Sequence, residues 1–247
     1  MRSEDSGIDL HDVKVVIAGG GRFGSLAASH CIANGSRVLI IDSDPGCDAA
    51  RLCDSVWISW DSLGPGDAAF LECDAVEGVL DLLDDGPDLL APCIPGHLAA
   101  FVLERGLKRA GRASGPDGES LKVAAGSLDP SVIVRIDSTS GTLVASFMPQ
   151  GMLCAEGCPQ DSRECPVTGR DRAESMHGLL QEACASAAER STVLKSLQLG
   201  EGVGGFLFRP LRELVRDAVE GDCHRKMGVV TACDCHGVMT LYRISDL

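Results

Sequence analysis

A glycine-rich segment near the N-terminus has the residue types that hold phosphate groups. Gly19–Gly24 reads G-G-G-R-F-G, follows the apolar run at residues 13–18 and opens a predicted helix. In such a turn the first glycine permits the tight bend, the second admits a pyrophosphate and the third allows close helix packing, while the helix N-terminus offers free N–H groups. We therefore predict cofactor binding at Gly19, Gly21, Arg22, Phe23 and Gly24.

A carboxylate with a matching role follows the next predicted strand. Asp42 ends the apolar run at residues 38–41, about 20 residues after the glycine turn, where dinucleotide-binding units carry an acidic residue. Its oxygens can accept hydrogen bonds from a ribose diol. This favours NAD, or another adenine nucleotide, over a 2′-phosphorylated cofactor.

A histidine follows another strand end. His97 comes after the predicted strand at residues 89–94, in the sequence Pro92-Cys93-Ile94-Pro95-Gly96-His97. Because ligands of open α/β sheets lie beyond the carboxyl ends of strands, His97 is a candidate catalytic residue facing the reactive end of a dinucleotide. The alternative is a histidine that only flanks the next helix.

The chain has twelve cysteines, several of them clustered. In a large chain without secretion signals, clustered cysteines indicate metal or redox chemistry more often than disulfides. Zinc and a [4Fe–4S] cluster both fit, and the spacing decides neither; reduced or redox-active thiols are the alternative. If a strand continues through the second group, its two cysteines share a face and its histidine lies opposite. The predicted metal ligands are Cys154, Cys158, Cys165, Cys233, Cys235 and His236, with Cys223 and His224 as further candidates.

The elements needed to position these residues are predicted by the hydrophobic pattern. The first half alternates short apolar strands with helices, which indicates a Rossmann-type parallel sheet, and the Gly-rich stretch 111–118 reads as an exposed connection. We expect an α/β chain in which a Rossmann domain at residues 1–112 precedes a smaller α+β Cys-rich metal-binding domain at 113–247. In the second half the pattern predicts a hairpin at 132–147, helices at 173–190 and 207–219, strands at 192–197 and 227–232, and a glycine loop at 200–205.

Composition excludes several classes of partner. The formal net charge of −14, from 36 acidic and 22 basic residues, disfavours nucleic acid and anionic membrane surfaces. No apolar run reaches the roughly 18 residues of a membrane span, and the N-terminal residues lack the apolar core of a signal peptide. We expect a cytoplasmic protein that does not insert into membranes, and a homo-oligomer is compatible with the sequence.

The N-terminal half resembles a known family. The strand and turn Ile17–Gly24, the segment Asp42-Ser43-Asp44-Pro45 and the segment Glu72-Cys73-Asp74-Ala75 are similar to TrkA-type (RCK/KTN-like) nucleotide-binding domains that regulate potassium transport. The resemblance implies that Asp74 lies near the adenine of a bound nucleotide. It covers roughly residues 13–110, and the Cys-rich half resembles no family that we recognise.

Three functions are consistent with these residues. The first is an NAD-dependent oxidoreductase with a Cys-ligated zinc or iron–sulfur site. The second is a nucleotide-sensing regulatory module, as the TrkA-type resemblance implies. The third is an assembly factor for metals or clusters bound by thiols.

Overall fold

The computed structural model describes residues 8–148, 151–152, 164–171, 174–221 and 225–246. Across these residues the chain forms six α-helices and two mixed sheets, so the predicted mixed α/β class is confirmed. Contacts divide it into unit 1, residues up to Leu98 together with Leu197–Arg209, and unit 2, Ala99–Ser196 together with the chain from Pro210 onward. The second unit, which the sequence predicts to be the smaller, spans the larger part of the chain.

The strands of unit 1 are β1 (Lys14–Ala18), β2 (Arg37–Asp42), β3 (Ser55–Val56), β4 (Ala68–Glu72), β5 (Leu89–Pro92), β10 (Leu197–Gly200) and β11 (Val203–Leu207), and its helices are α1 (Arg22–Ala33) and α2 (Ala75–Asp81). The strands form a seven-stranded sheet in the order β10-β11-β5-β1-β2-β4-β3. The strands β5, β1, β2, β4 and β3 run parallel, whereas β11 pairs antiparallel with β5 and β10 pairs antiparallel with β11.

The central strands of unit 1 are apolar on both faces because both faces are covered. The side chains of β1 from Val15 to Ala18 and of β2 from Val38 to Ile41 are fully buried, which is the pattern of a parallel sheet interior. Small residues on α1, Ala27, Ala28 and Cys31, pack onto this sheet. The close packing brings the start of α1 directly over the end of β1.

The strands of unit 2 are β6 (Arg112–Pro116), β7 (Ile133–Asp137), β8 (Thr142–Ser146), β9 (Arg190–Lys195), β12 (Lys226–Ala232) and β13 (His236–Asp246). Its helices are α4 (Gly118–Gly126) and α5 (Met176–Ala187), together with all but the first residue of α3 (Leu98–Arg109) and all but the first two residues of α6 (Phe208–Glu220). The sheet has the order β7-β8-β13-β12-β9, with β6 pairing to the second half of β13, and among these strands only β9 and β12 pair in parallel. Helices α4 and α5 share a core with the strands through Leu121, Leu180, Met239 and Leu241.

Several sequence-based expectations of unit 2 are wrong. The stretch predicted as an exposed connection, 111–118, contains strand β6, whose backbone pairs with β13 from Tyr242 to Asp246. Strand β13 has no counterpart in the prediction. The prediction that a strand continues through Cys233–His236 is also wrong. Strand β12 ends at Ala232 and β13 begins at His236, so residues 233–235 form the turn of an antiparallel hairpin.

The second glycine loop belongs to unit 1 and is a β-hairpin. Gly202, at φ +68°, lies in the turn between β10 and β11. A side chain on Gly200 would collide with the His30 ring, whose Nε2 lies 2.7 Å from the Leu199 carbonyl oxygen. These glycines therefore allow close packing of the hairpin onto α1.

No helix in the described ranges is long and apolar enough to cross a membrane.

Candidate functional site

The glycine turn of unit 1 lies at the carboxyl end of β1 and begins α1. Gly19 has φ +105°, and a Cβ built there would lie 2.7 Å from the Cys93 carbonyl oxygen, so this position admits only glycine. A Cβ on Gly24 would collide with the Gly19 carbonyl. Both glycines are thus explained by the tight bend and by the close approach of helix and strand.

Gly21 differs from its neighbours because nothing requires its small size inside the protein. A Cβ built on Gly21 would meet no atom within 4 Å. Gly21 is the N-cap residue of α1, with φ −69° and ψ −161°, and no side chain caps the helix. Arg22 and Phe23 follow it at the surface, with Phe23 68% exposed. The first turn of α1 therefore faces open space.

Asp42 lies directly beside this turn. Its Oδ2 accepts a hydrogen bond of 2.6 Å from Gly20 N–H, and its Oδ1 accepts one of 2.9 Å from Asp44 N–H. These bonds fix the half-buried carboxylate next to the glycines. Each oxygen keeps a further lone pair, so the group can still accept a hydrogen bond from a ligand.

The other two candidate nucleotide-site residues of the first half are Asp74, which caps a helix, and His97, which is buried. Asp74 is the N-cap of α2, and its Oδ1 accepts hydrogen bonds of 3.1 Å from both Val76 N–H and Glu77 N–H. His97 is buried, and desolvation lowers its pKa to about 3. His97 is therefore neutral at physiological pH.

The cysteines of the second half are distributed unevenly over the described residues. Cys154 and Cys158, like Cys223 and His224, lie outside them. Cys165 is buried in a short hairpin, where its N–H donates to the Arg170 carbonyl. The backbone of Glu164 pairs with that of Asp171 in an isolated antiparallel bridge. In the part of the chain that the structure describes, no group of three or more Cys, His, Asp or Glu side chains is placed to hold a metal ion.

The turn between β12 and β13 brings two thiols and an imidazole together in unit 2. Cys233 Sγ lies 2.8 Å from His236 Nδ1 and accepts a hydrogen bond of 3.3 Å from Cys235 N–H. A hydrogen bond from the Cys235 side chain is the main reason that the pKa of Cys233 falls to about 7, and the backbone N–H of Cys235 acts in the same direction against burial. The expectation that His236 faces away from the thiols is wrong because the turn curls the chain back on itself.

The carbonyl groups of this turn are held by neighbouring backbone. Met176 N–H donates to the Asp234 carbonyl at 3.0 Å and His177 N–H to the Cys233 carbonyl at 3.1 Å. From the end of β8, Phe147 N–H donates to the Cys235 carbonyl at 2.9 Å. The conformation of the turn is thus fixed by two other elements.

A second set of polar side chains adjoins the turn and has no signal in the sequence. His177 Nδ1 lies 3.0 Å from Asp234 Oδ1, which is close enough for an ion pair, but the two atoms are not aligned for a hydrogen bond. Lys195 Nζ lies 3.8 Å from the same oxygen. Ser175 Oγ lies 3.2 Å from His177 Nε2 and also accepts from Gly178 N–H as the N-cap of α5. More than fifty residues separate Ser175 and His177 from the turn in the sequence, so only the folded chain reveals the cluster.

Comparison with known proteins identifies the family. Residues 14–98 match a family profile described as the N-terminal domain of an uncharacterized protein, and residues 109–245 match the corresponding C-terminal domain. A protein of Archaeoglobus fulgidus, also named only as uncharacterized, is 32% identical over 226 residues, which cover 91% of this chain and 97% of the relative. The chain belongs to this two-domain family.

Membership of this family overturns the resemblance to TrkA-type domains. The two matching profiles cover both halves of the chain, and neither is a TrkA-type domain. The adenine contact implied for Asp74 loses its basis with that resemblance. The glycine turn and Asp42 do not depend on it, because their interpretation rests on their own chemistry.

Proposed function

We propose that unit 1 binds an adenine nucleotide, in the first place NAD, over the glycine turn, and that the protein is an NAD-dependent oxidoreductase. The observation that carries the proposal is the open position of Gly21, at the N-terminus of α1 and beside Asp42. The open space over the first N–H groups of α1 leaves room for a ligand to approach the backbone closely.

The topology of unit 1 supports a Rossmann-like site at this place. Strand β1 has β2 on one side and β5 on the other, and all three run parallel. The chain passes from β1 through α1 to β2, whereas β5 is reached only later, so the order of strands reverses at β1. Ligands of open α/β sheets bind at such a reversal, beyond the carboxyl ends of the strands. The glycine turn lies at this end of β1.

The groups around the turn fit a dinucleotide without a 2′-phosphate. The first N–H groups of α1 and the positive end of its dipole suit a pyrophosphate. Asp42 suits the ribose hydroxyls and would repel a phosphate on the same ribose. Bound NAD would supply hydride transfer, while Gly21 and Asp42 would hold and orient it.

The catalytic role of His97 stays a prediction. Because its side chain is buried and neutral, it can act only as an uncharged hydrogen-bonding group. A zinc or [4Fe–4S] site likewise stays a prediction, since two of its expected ligands, Cys154 and Cys158, lie outside the described residues.

A charged substitution at Gly21 tests nucleotide binding. Aspartate is among the best N-cap residues, so Gly21→Asp should leave the melting temperature unchanged or raise it. Its side chain would fill the space over the turn and repel phosphate, so we expect NAD affinity, measured by isothermal titration calorimetry on the full chain, to fall at least tenfold. Titration with NADP should show weaker binding than NAD to the unmodified protein.

Gly21→Asn is the matched control, because it has nearly the same shape and N-cap ability without the charge. We expect an intermediate loss of affinity. Absence of NAD, NADH and ATP binding to the unmodified chain at millimolar concentration would overturn the proposal, as would equal affinity in Gly21→Asp. Binding without hydride transfer to any carbonyl or alcohol substrate tested would keep the nucleotide site and reject the oxidoreductase.

A further inference from the structure

The hairpin turn between β12 and β13 carries chemistry that nucleotide binding does not use. We propose that Cys233 and Cys235 are a redox-active dithiol that forms a reversible disulfide by exchange with low-molecular-weight disulfides. This proposal concerns unit 2 and is independent of the nucleotide site in unit 1.

The two thiols are positioned to react with each other. Cys235 donates hydrogen bonds to Cys233 from both its side chain and its backbone N–H. Residues two apart in a turn lie within the range of Cα separations that a disulfide can bridge. Both cysteines are free thiols in the structure.

Exposure assigns different roles to the two cysteines. Cys233 is only 2% exposed, whereas Cys235 is half-buried and His236 is exposed. A small disulfide can therefore reach Cys235 first. Cys233 lies behind it, in contact with the imidazole, as the thiol that resolves the intermediate.

The surrounding groups hold the backbone of this turn in place. The carbonyl groups of residues 233–235 accept hydrogen bonds from α5 and from Phe147, while Cys235 N–H donates to Cys233 Sγ. The carboxylate of Asp234 faces His177 and Lys195. Contacts with α5 and β9 thus keep the two cysteines in position relative to each other.

The exchange balances in two steps. In the first step the Cys235 thiol gives its proton to water and attacks one sulfur of R–S–S–R, forming a mixed disulfide and releasing R–S⁻, which takes up a proton. In the second step Cys233 passes its proton to His236 and attacks Cys235 Sγ. The bond between Cys235 Sγ and the remaining R–S group breaks, and the second R–S⁻ leaves and takes up that proton. The two cysteines lose two electrons and two protons, and the small disulfide gains them as two thiols.

Three of the other described cysteines lack these features. Cys31, Cys93 and Cys184 are enclosed by apolar groups, and burial raises their pKa to about 11, 11 and 12. Such thiols stay protonated and inert at neutral pH. The hairpin turn is therefore distinguished from the isolated cysteines by its contacts.

Peptide mapping of the full chain tests the proposal. Trypsin cleavage after Lys226 and Arg243 releases one peptide that contains Cys233 and Cys235 and no other cysteine. After incubation with oxidised glutathione and alkylation of free thiols, we expect this peptide to be lighter by two hydrogens and unalkylated. Dithiothreitol should restore both alkylation sites, and a glutathione redox buffer series should give a two-electron midpoint.

Single variants separate the two roles. Cys233→Ser should accumulate a glutathione adduct on Cys235, because nothing resolves the mixed disulfide, whereas Cys235→Ser should form neither the adduct on Cys233 nor the disulfide. Cys73→Ser, a half-buried cysteine of unit 1, is the matched control and should behave like the unmodified chain.

Three results would overturn the proposal. The first is a tryptic peptide that stays fully alkylated in oxidised glutathione. The second is a disulfide that joins Cys233 or Cys235 to a different cysteine, such as Cys165. The third is a stoichiometric metal ion in the purified protein that blocks alkylation of both thiols until a chelator removes it.

Discussion

At the scale of single residues, the chemical type of a side chain sets which roles are possible, and its contacts in the fold decide which of these roles it has. Asp42 ends β2 and Asp74 follows β4, and both carboxylates can accept hydrogen bonds from a nucleotide. The fold gives them different roles, because Asp42 lies against the glycine turn whereas Asp74 Oδ1 caps α2. Cys233 and Cys184 are both buried thiols, and only Cys233 has N–H and imidazole partners.

His97 gives a prediction about acid stability. Burial lowers its pKa to about 3, compared with about 6.5 for a histidine in an unfolded chain. Below pH 6.5 the unfolded chain therefore binds a proton that the folded chain does not, so this histidine reduces stability progressively as the pH falls from about 6.5 towards 3.

The neutral replacement His97→Gln should remove this dependence. Urea unfolding at pH 7.5 and at pH 5 should show a larger loss of unfolding free energy in the unmodified protein than in the variant. Equal losses in both proteins would show that His97 is protonated in the folded state.

At the scale of elements, most of the candidate site residues lie where a helix or a strand begins or ends. The helix predicted to start at the glycine turn is present as α1 (Arg22–Ala33), because its apolar periodicity and flanking glycines are local features. The hairpin of β10 and β11 and the turn at Cys233–Cys235 differ from the predicted structure, since glycine and cysteine favour no single element. The strands that hold these hairpins in their sheets, β5 beside β11 and β8 beside β13, lie far away in sequence.

Asp74 tests the role of a capping residue in α2. Asp74→Ala removes the acceptor of two backbone N–H groups and should lower the free energy of unfolding by about 1 kcal/mol. Asp74→Ser retains an N-cap oxygen and should restore most of that loss in thermal unfolding. Neither change should alter NAD affinity, and a loss of affinity in Asp74→Ser at unchanged stability would return Asp74 to the nucleotide site.

At the scale of the whole molecule, unit 1 is completed by a segment from the second half of the chain. Strand β11 pairs with β5 at Leu89 and Leu90, and Leu199 and Val203 belong to the same core as β1 and β2. The sequence-based division at residues 112 and 113 stays a prediction, and fragments can test it directly.

A fragment of residues 1–112 lacks β10 and β11 and would expose the edge of β5 together with part of the core. We expect it to aggregate or to unfold at lower urea concentration than a fragment in which residues 1–98 are joined to 196–210 by a flexible linker. Size-exclusion chromatography and urea unfolding measure the difference. Equal behaviour of the two fragments would mean that the hairpin contributes nothing to the stability of unit 1.

The sequence by itself determined the mixed α/β class and the position of the glycine turn, because buried strands, helix periodicity and glycine spacing are local properties of the chain. It also grouped Cys233, Cys235 and His236 as candidate metal ligands, which stays a prediction. Only the tertiary structure decided that these three meet in a hairpin turn against α5, that β13 lies at the centre of the second sheet and that residues 197–209 complete the first. Those features depend on pairing between distant segments, and the free energy of such pairing is spread over contacts that no short stretch of sequence contains.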